Sequence, residues 1–351
     1  MLNIIFILFI VILAYWGDVK VTNDKIVRFF IRAFLVIVMS INVMLMKSAD
    51  RASYIFFYEN EARFGGVNSI QDILDWLSFN SLGVEVGFTY LCRLSNLLGI
   101  SGNLFLFIIA IISNILAINV LYKFKYPAIV FFLFALSSPY HQEANLVRQM
   151  LAVMIGFYAT RYIEEKDWKT YLLFILLMFS IHRSSIVLLF LTPLFFVKEE
   201  HYKLVRIILL ALWIISFPFV FKIIPSFDLG DYFAATRYEN YTDADADLGS
   251  RQAIFNVVNN FLVLFYFVFS KKDKSIIVPT YFVLDCFLSN LAITAGQTMA
   301  RMAFYFIPMY SAFVPTLLTD NKKINDKTKQ AQTIVLTLLV LYYLRQMMRG
   351  I

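Results

Sequence analysis

In this sequence, a group of arginines lies at or near the ends of long apolar segments, and all of these ends would face the same side if each segment crossed a membrane once. The arginines of this set are Arg51, Arg63, Arg148, Arg183, Arg237, Arg251 and Arg301. An arginine stays charged at any ordinary pH and grips phosphate through a two-pronged fork of N–H donors. The set therefore indicates an anionic, phosphate-bearing ligand. The alternative is that these arginines pair with nearby carboxylates or with lipid headgroups.

Groups that could exchange a proton lie close to the same arginines. With their neighbours, they are Asp50 with Arg51, Tyr54 and Tyr58, Glu85 with Gly87, and His182 with Arg183. Carboxylates and imidazoles are common general acids and bases in enzymes, so Asp50, Glu85 and His182 are candidate catalytic groups. A salt bridge or a helix cap is the alternative for the two carboxylates, and a structural core residue is the alternative for His182. The sequence has no nucleotide-binding, zinc-protease or serine-hydrolase motif and its cysteines are far apart, so we expect no metal and no cofactor.

The segments that position these side chains are unusually apolar. The 351 residues are 60% hydrophobic and 16% charged, and the mean hydropathy is +0.71. A helix needs roughly 20 apolar residues to cross a bilayer. This pattern predicts an all-α fold, a polytopic transmembrane helical bundle with about 12 membrane segments. The segments are 1–16, 26–46, 103–122, 127–139, 146–163, 168–182, 184–197, 204–221, 252–270, 276–295, 301–319 and 332–347.

The lysines are distributed differently from the arginines. The net charge of +7 could indicate a nucleic-acid partner, but most lysines lie in short loops between apolar segments. These are Lys20, Lys25, Lys123, Lys125, Lys166, Lys169, Lys198, Lys203, Lys271, Lys272, Lys274, Lys322, Lys323, Lys327 and Lys329. The positive-inside rule places such loops in the cytoplasm. Both termini and the arginine-rich ends then face outward, and we expect no nucleic acid to bind.

Two stretches are too short to carry a polar centre to the outer surface. Between Trp168 and Val197, the polar group from His182 to Ser185 divides two apolar halves of about 14 residues, or roughly 20 Å as an α-helix. The stretch from Pro127 to Tyr162 repeats the pattern around Ser137 to Gln149. Polar residues at depth are tolerated where they line a watery cavity. We therefore predict a recessed outer vestibule floored by these two turns.

The chain is predicted to form one integral membrane domain, residues 1–351, with outer loops at 47–102 and 222–251. The apolar stretch 83–100 looks long enough to span, but one extra crossing would move every later lysine loop outside. We therefore expect it to lie on the membrane. The first sixteen residues lack a basic start and a cleavage site, so we expect a retained span.

Several short motifs together resemble the EpsG family of Wzy-type polysaccharide polymerases. They are Asp50, Tyr54 and Tyr58; Glu85-Val86-Gly87; Val147-Arg148-Gln149-Met150-Leu151-Ala152; Ile181-His182-Arg183-Ser184; and Arg301 with Tyr305-Phe306. The resemblance rests on their order and spacing up to roughly residue 320. It implies polymerisation of undecaprenyl-diphosphate-linked oligosaccharide repeat units at the outer face of the bacterial cytoplasmic membrane. It also implies a fold similar to polyprenyl-phosphate-dependent membrane glycosyltransferases.

The resemblance also implies roles for single residues and partners. Asp50, Glu85 or His182 would act as the base, and the substrate-binding residues would be Arg148, Gln149, Arg301, Arg183, Arg51 and Tyr54. We expect Arg148 and Arg301 each to open a helix, whose N-terminus would add positive character toward a pyrophosphate. Glu143, Asp50 or Glu85 could instead pair with these arginines, and Glu143 is the nearest in sequence to Arg148. The implied partners are the lipid-linked oligosaccharide, membrane lipid, a chain-length regulator and other polysaccharide-assembly proteins.

Two other activities remain open from the sequence. An O-antigen-ligase-like glycan transferase would use the same donor chemistry with a different acceptor. A lipid-linked oligosaccharide flippase or transporter would need charges along both halves of the membrane path, whereas the deep charges here cluster toward one side.

Overall fold

The computed structural model describes residues 2–60, 85–220, 248–269, 276–295, 297–312 and 334. Its α-helices are α1 (Leu2–Trp16), α2 (Lys25–Leu45), α3 (Arg51–Glu59), α4 (Val86–Leu97), α5 (Gly102–Leu121), α6 (Pro127–Ala135), α7 (Ser138–Gln142), α8 (Val147–Glu164), α9 (Trp168–Ile181), α10 (Tyr202–Val220), α11 (Leu248–Phe269), α12 (Ile277–Ala295) and α13 (Gln297–Ala303). Short 3-10 helices cover Glu199–His201 and Ile307–Ala312, and a long one covers Arg183–Phe195. The described ranges contain no β-strand, so the all-α prediction is confirmed.

The long helices agree with the predicted apolar segments. Within the described ranges, three stretches are long and apolar enough to cross a membrane: Lys25–Leu45, Gly102–Leu121 and Glu199–Pro218. Shorter apolar helices, such as Trp168–Ile181 and Ile277–Ala292, accompany them. A bundle of about 12 crossings therefore stays a prediction.

Two predicted segments are interrupted in the structure. The segment predicted at 127–139 ends as α6 at Ala135, and the short α7 follows with Pro139 in its first turn. Proline has no N–H to continue the hydrogen bonds of the preceding helix, which accounts for the break. The segment predicted at 301–319 is also divided, because α13 ends at Ala303 and a 3-10 helix begins at Ile307. The segment predicted at 332–347 lies outside the described residues, apart from residue 334.

The segment predicted at 184–197 differs in its helix type. Arg183–Phe195 is a 13-residue 3-10 helix. A 3-10 helix rises about 2.0 Å per residue, so it covers about 26 Å rather than the roughly 20 Å expected for an α-helix. Lys166 Nζ donates to the carbonyl oxygens of Leu194 at 2.7 Å and Val197 at 3.1 Å, which satisfies two acceptors at its end. His182 therefore need not lie as deep as the α-helical rise predicted.

Helix α8 lies at the centre of the described bundle. It packs against α5, α9 and the long 3-10 helix, and most of its residues are buried on every side. A helix that is buried on nearly every side lies in the interior of a bundle. Arg148 lies at its start, whereas Glu164 at its end is 3.8 Å from Lys123 Nζ. The 18 residues of α8 thus separate the Arg148 end of the bundle from an end that carries lysines.

Helices α10, α11 and α12 are joined by buried polar side chains. Asn260 donates to Asn290 Oδ1 at 2.8 Å, and Asn290 donates to Ser216 Oγ at 2.9 Å. Trp213 Nε1 donates to Asn260 Oδ1 at 2.7 Å. Hydrogen bonds of this kind hold helices together where apolar surfaces alone give little driving force, as in a bilayer.

Candidate active site

The Glu85 carboxylate lies between Arg148 and His182. One oxygen, Oε2, accepts a hydrogen bond from Arg148 Nη1, and the other, Oε1, lies 3.2 Å from His182 Nδ1. Glu85 is 63 residues from Arg148 and 97 residues from His182 along the chain. We call these three residues the Glu85 centre. The fold therefore brings together residues from three separate sequence motifs.

Helix docking positions each member of this centre. Glu85 immediately precedes α4, His182 immediately follows α9, and α4 packs against α9. Gly87, in the first turn of α4, lies directly against the backbone of Ser180 near the end of α9. Arg148 enters from the second position of α8, which packs along α9.

The Glu85 centre is a partly buried ion pair with the His182 imidazole beside it. Burial alone would raise the pKa of Glu85, but the charge of Arg148 and the hydrogen bond to His182 outweigh it and lower the pKa from 4.5 to about 2. Glu85 is therefore ionised at neutral pH. A carboxylate with such a low pKa accepts protons poorly, so Glu85 suits orienting and charge-balancing better than the role of base.

The Glu85 carboxylate also determines which ring nitrogen of His182 can accept a proton. A neutral imidazole has one N–H donor and one acceptor nitrogen. The nitrogen that faces a carboxylate carries the proton, so Nδ1 is the donor and Nε2 keeps its lone pair. His182 Nε2 is buried and has no hydrogen-bond partner in the described part of the chain. His182 is thus arranged to accept a proton through Nε2.

Gln149 and Arg301 meet beside the Glu85 centre. Gln149 Nε2 donates to the Arg301 carbonyl oxygen at 2.6 Å, and the positive charge of Arg301 acts on His182. Tyr305, one turn further on, is linked to Ser184 by a hydrogen bond of 3.3 Å between their hydroxyl groups. Arg183 lies next to His182 as the first residue of the long 3-10 helix and is partly buried.

The expectation for Arg301 is wrong in one respect. Arg301 does not open a helix; it lies in the last turn of α13. The C-terminal end of a helix carries partial negative charge, so the helix stabilises the arginine instead of adding positive character for an anion. The apolar run that starts at Arg301 suggested a helix start, and the break after Ala303 was not visible in hydrophobicity alone.

Arg148 lies at the start of a helix as expected, but its partner is not its neighbour in sequence. The carboxylate that pairs with Arg148 is Glu85 and not Glu143. Glu143 is buried, neither carboxylate oxygen has a partner among the described residues, and burial raises its pKa well above 4.5. The ring centres of Tyr54 and Phe88 each lie 5.9 Å from the Arg148 guanidinium carbon, close enough for cation–π attraction.

In the motif formed by Asp50, Tyr54 and Tyr58 with the neighbouring Arg51, two side chains hydrogen-bond to backbone carbonyl oxygens. Arg51 Nη2 donates to the Val43 and Met46 carbonyl oxygens at 3.3 and 3.2 Å, so it satisfies acceptors at the end of α2. Tyr58 is buried and donates to the Ile100 carbonyl oxygen at 2.6 Å. Asp50 is exposed at the N-cap position of α3 without a side-chain capping bond, unlike the buried Glu85 centre. Of this motif, Tyr54 lies beside the Arg148 guanidinium, as described above.

Ser185 was not among the candidate residues predicted from the sequence, and its hydroxyl is buried without a partner in the described residues. Its place in the polar group after His182 was the available signal. The predicted outer loop 222–251 ends earlier than expected, because Leu248 already begins α11, while residues 221–247 lie outside the described ranges.

Comparison with known protein families identifies a family for most of the chain. A model of the EpsG family matches residues 58–350. No curated protein and no solved structure matches the chain. The match covers every member of the Glu85 centre and also Gln149 and Arg301.

Proposed function

The chain belongs to the EpsG family, and on that premise we propose that it polymerises undecaprenyl-diphosphate-linked oligosaccharide repeat units on the outer face of the cytoplasmic membrane. Membership of the family indicates a role in polysaccharide biosynthesis as a membrane polymerase of the glycosyltransferase type. Helices long and apolar enough to span a bilayer indicate a membrane protein. The lipid-diphosphate donor and the outward orientation belong to the proposal.

One observation carries the proposal: a buried carboxylate that holds an arginine on one side and a histidine on the other. Sugar transfer from a lipid diphosphate needs a base for the acceptor hydroxyl and cations for the departing diphosphate. In the Glu85 centre, a candidate base, His182, lies close to a cation, Arg148. The side chain of Arg148 is 22% exposed, so a ligand can reach it.

In the proposed reaction, the oxygen of an acceptor hydroxyl attacks the anomeric carbon of the donor sugar. The bond between that carbon and the diphosphate oxygen breaks, and undecaprenyl diphosphate leaves with the bonding electrons. His182 Nε2 takes the hydroxyl proton, and Glu85 stabilises the resulting imidazolium through Nδ1, as the carboxylate does in a catalytic triad. His182 is then the catalytic base and Glu85 a positioning residue.

The diphosphate would lie against the arginines. Arg148 combines a fixed charge with the N-terminus of α8, where exposed N–H groups favour anions. Arg301, whose charge acts on His182, and Arg183 are the further cations on this side. Because the leaving group gains negative charge as the bond breaks, these cations act more strongly on the transition state than on the substrate.

Deletion of the gene tests the function. A polymerase mutant should accumulate single repeat units on the lipid carrier and lose the ladder of longer surface chains. The wild-type gene should restore the ladder, and the His182→Gln variant should not. Long chains that remain on undecaprenyl diphosphate would instead indicate a ligase. A complete absence of outward-facing lipid-linked sugar would indicate a flippase.

A further inference from the structure

Three buried polar atoms near the Glu85 centre have no hydrogen-bond partner in the part of the chain that the structure describes. They are Gln149 Oε1, His182 Nε2 and Ser185 Oγ. Gln149 is 2% exposed and Ser185 is fully buried. Folded proteins rarely leave such atoms unsatisfied, so three of them at one place point to a bound molecule that supplies the missing partners.

The three atoms belong to one region of the molecule. Ser185 N donates to the His182 carbonyl oxygen at 3.1 Å, so the backbone turn at the start of the 3-10 helix keeps these two residues close together. Gln149 is bonded to the Arg301 carbonyl oxygen, and the charge of Arg301 acts on His182. Helix α8, which carries Gln149, packs against the 3-10 helix that carries Ser185.

The hydrogen-bonding character of these atoms defines the ligand. The Gln149 amide nitrogen donates to a carbonyl oxygen, which can only accept, so Oε1 is available as an acceptor. His182 Nε2 is also an acceptor, because Nδ1 faces the Glu85 carboxylate. An ionised diphosphate has only acceptors and cannot satisfy these two atoms. A cationic amine is disfavoured by Arg148 and Arg301, which leaves neutral hydroxyl groups.

We propose that Gln149, His182 and Ser185 form the subsite for the acceptor sugar. This inference rests on the proposed polymerase function. It divides the site into a part that binds the acceptor sugar and a part that binds the diphosphate. The attacking hydroxyl binds His182 Nε2, and a neighbouring hydroxyl of the same ring donates to Gln149 Oε1. Ser185 Oγ can donate or accept, so it completes the contact with either kind of ring substituent.

Binding measurements on the full-length protein in detergent test this division. One probe is undecaprenyl diphosphate, and the other is the lipid-free oligosaccharide released by mild acid from the repeat units of the deletion strain. Gln149→Met and Ser185→Ala should each weaken oligosaccharide binding by about tenfold, the upper range for one neutral hydrogen bond. Both variants should bind undecaprenyl diphosphate as the wild type does. Arg148→Lys should show the opposite pattern.

Ser311→Ala is the matched control, because that buried hydroxyl donates to the Pro308 carbonyl oxygen at 2.6 Å and should affect neither probe. Ser185→Ala leaves the Gln149–Arg301 hydrogen bond in place, whereas Gln149→Met removes it. If only Gln149→Met weakens oligosaccharide binding, the effect would reflect displacement of Arg301 and would overturn the proposal. Equal weakening of the binding of both probes, or no weakening of either, would also overturn the proposal. If the wild type still forms polymer from lipid-linked units in that case, the proposed function stands; if it forms none, both fail.

Discussion

Gly87 lies so close to Ser180 that a Cβ atom at position 87 would come within 2.8 Å of the Ser180 carbonyl oxygen. This approach sets the start of α4 against the end of α9, and it thereby brings Glu85 within reach of His182. Gly87→Ala should push the two helices apart. We expect polymerisation to fall by about a hundredfold, since a misplacement of about 1 Å at a reacting centre has such an effect. The ladder of surface chains, normalised to protein level in the membrane, measures it.

Gly99→Asn is the control for this prediction. Gly99 has φ of +70° at the end of α4, and a Cβ there meets open space. Asparagine tolerates that left-handed backbone conformation, so the variant should polymerise normally. Normal polymerisation by Gly87→Ala would show that the contact with Ser180 does not position Glu85.

The ion pair between Glu85 and Arg148 predicts a compensating pair of substitutions. Glu85→Gln leaves the partly buried Arg148 charge without this carboxylate. Loss of one partner from a fully buried pair costs about 3–5 kcal/mol, and we expect a smaller loss here because the Arg148 side chain is 22% exposed. The double variant with Arg148→Gln removes both charges, so its stability should recover while polymerisation stays absent. The buried thiols of Cys92 and Cys286 allow a thiol-reactive dye to follow thermal unfolding. If the double variant is as unstable as Glu85→Gln, the pair does not account for the stability.

Much of the helical framework could be predicted from the sequence, because the length of a long apolar run is close to the length of the helix that it forms. Helices α2, α5 and α9 begin and end close to the predicted bounds. The partner of Arg148 could not be predicted, since Glu143 is near in sequence but Glu85 is brought close by the docking of α4. A 3-10 helix has hydrogen bonds between residues three apart, and an α-helix has them between residues four apart. Hydrophobicity does not distinguish these two patterns, so the long 3-10 helix after His182 was not predicted.

The candidate site was predicted in its residues but not in its contacts. Glu85, Arg148 and His182 were expected at one face, and the structure joins them through hydrogen bonds. Gln149 was expected there too, and its amide donates to the Arg301 carbonyl oxygen. Asp50 was expected to join them and is instead exposed. An acidic residue just after a predicted span looks the same in sequence whether it lines a site or precedes a surface helix.

The topology remains a prediction that cysteine labelling can test. Asn68→Cys and Asp245→Cys should react with an impermeant reagent from outside, and Asn321→Cys should not. The native cysteines are buried, so their background should be low. External labelling of Asn321→Cys would reverse the assignment of the lysine side.

The same topology requires that the stretch 83–100 does not cross the membrane. Helix α4 has 12 residues, or about 18 Å, against a hydrocarbon core of about 30 Å. A reporter fused after Ser101 should therefore read as external. A cytoplasmic signal there, with Lys123 still inside, would contradict the prediction.

Arg148 is expected to bind the diphosphate of the lipid carrier, and Arg148→Lys separates this role from a purely structural one. A lysine can still pair with Glu85 as a point charge, so the variant should fold and insert into the membrane. It cannot provide the planar fork that grips two phosphate oxygens at once. We therefore expect Arg148→Lys to lose most polymerisation while its thermal stability stays close to that of the wild type.

Two matched variants sharpen this prediction. Glu143→Gln should polymerise normally, because burial already raises the pKa of Glu143 well above 4.5 and the amide keeps the shape of the neutral acid. Arg206→Lys changes an arginine beside Phe267, on the predicted cytoplasmic side, and should also be harmless. If Arg148→Lys polymerises like the wild type, the ion pair with Glu85 is its whole role. If Glu143→Gln is as damaging as Arg148→Lys, the start of α8 depends on Glu143 and the loss cannot be assigned to diphosphate binding.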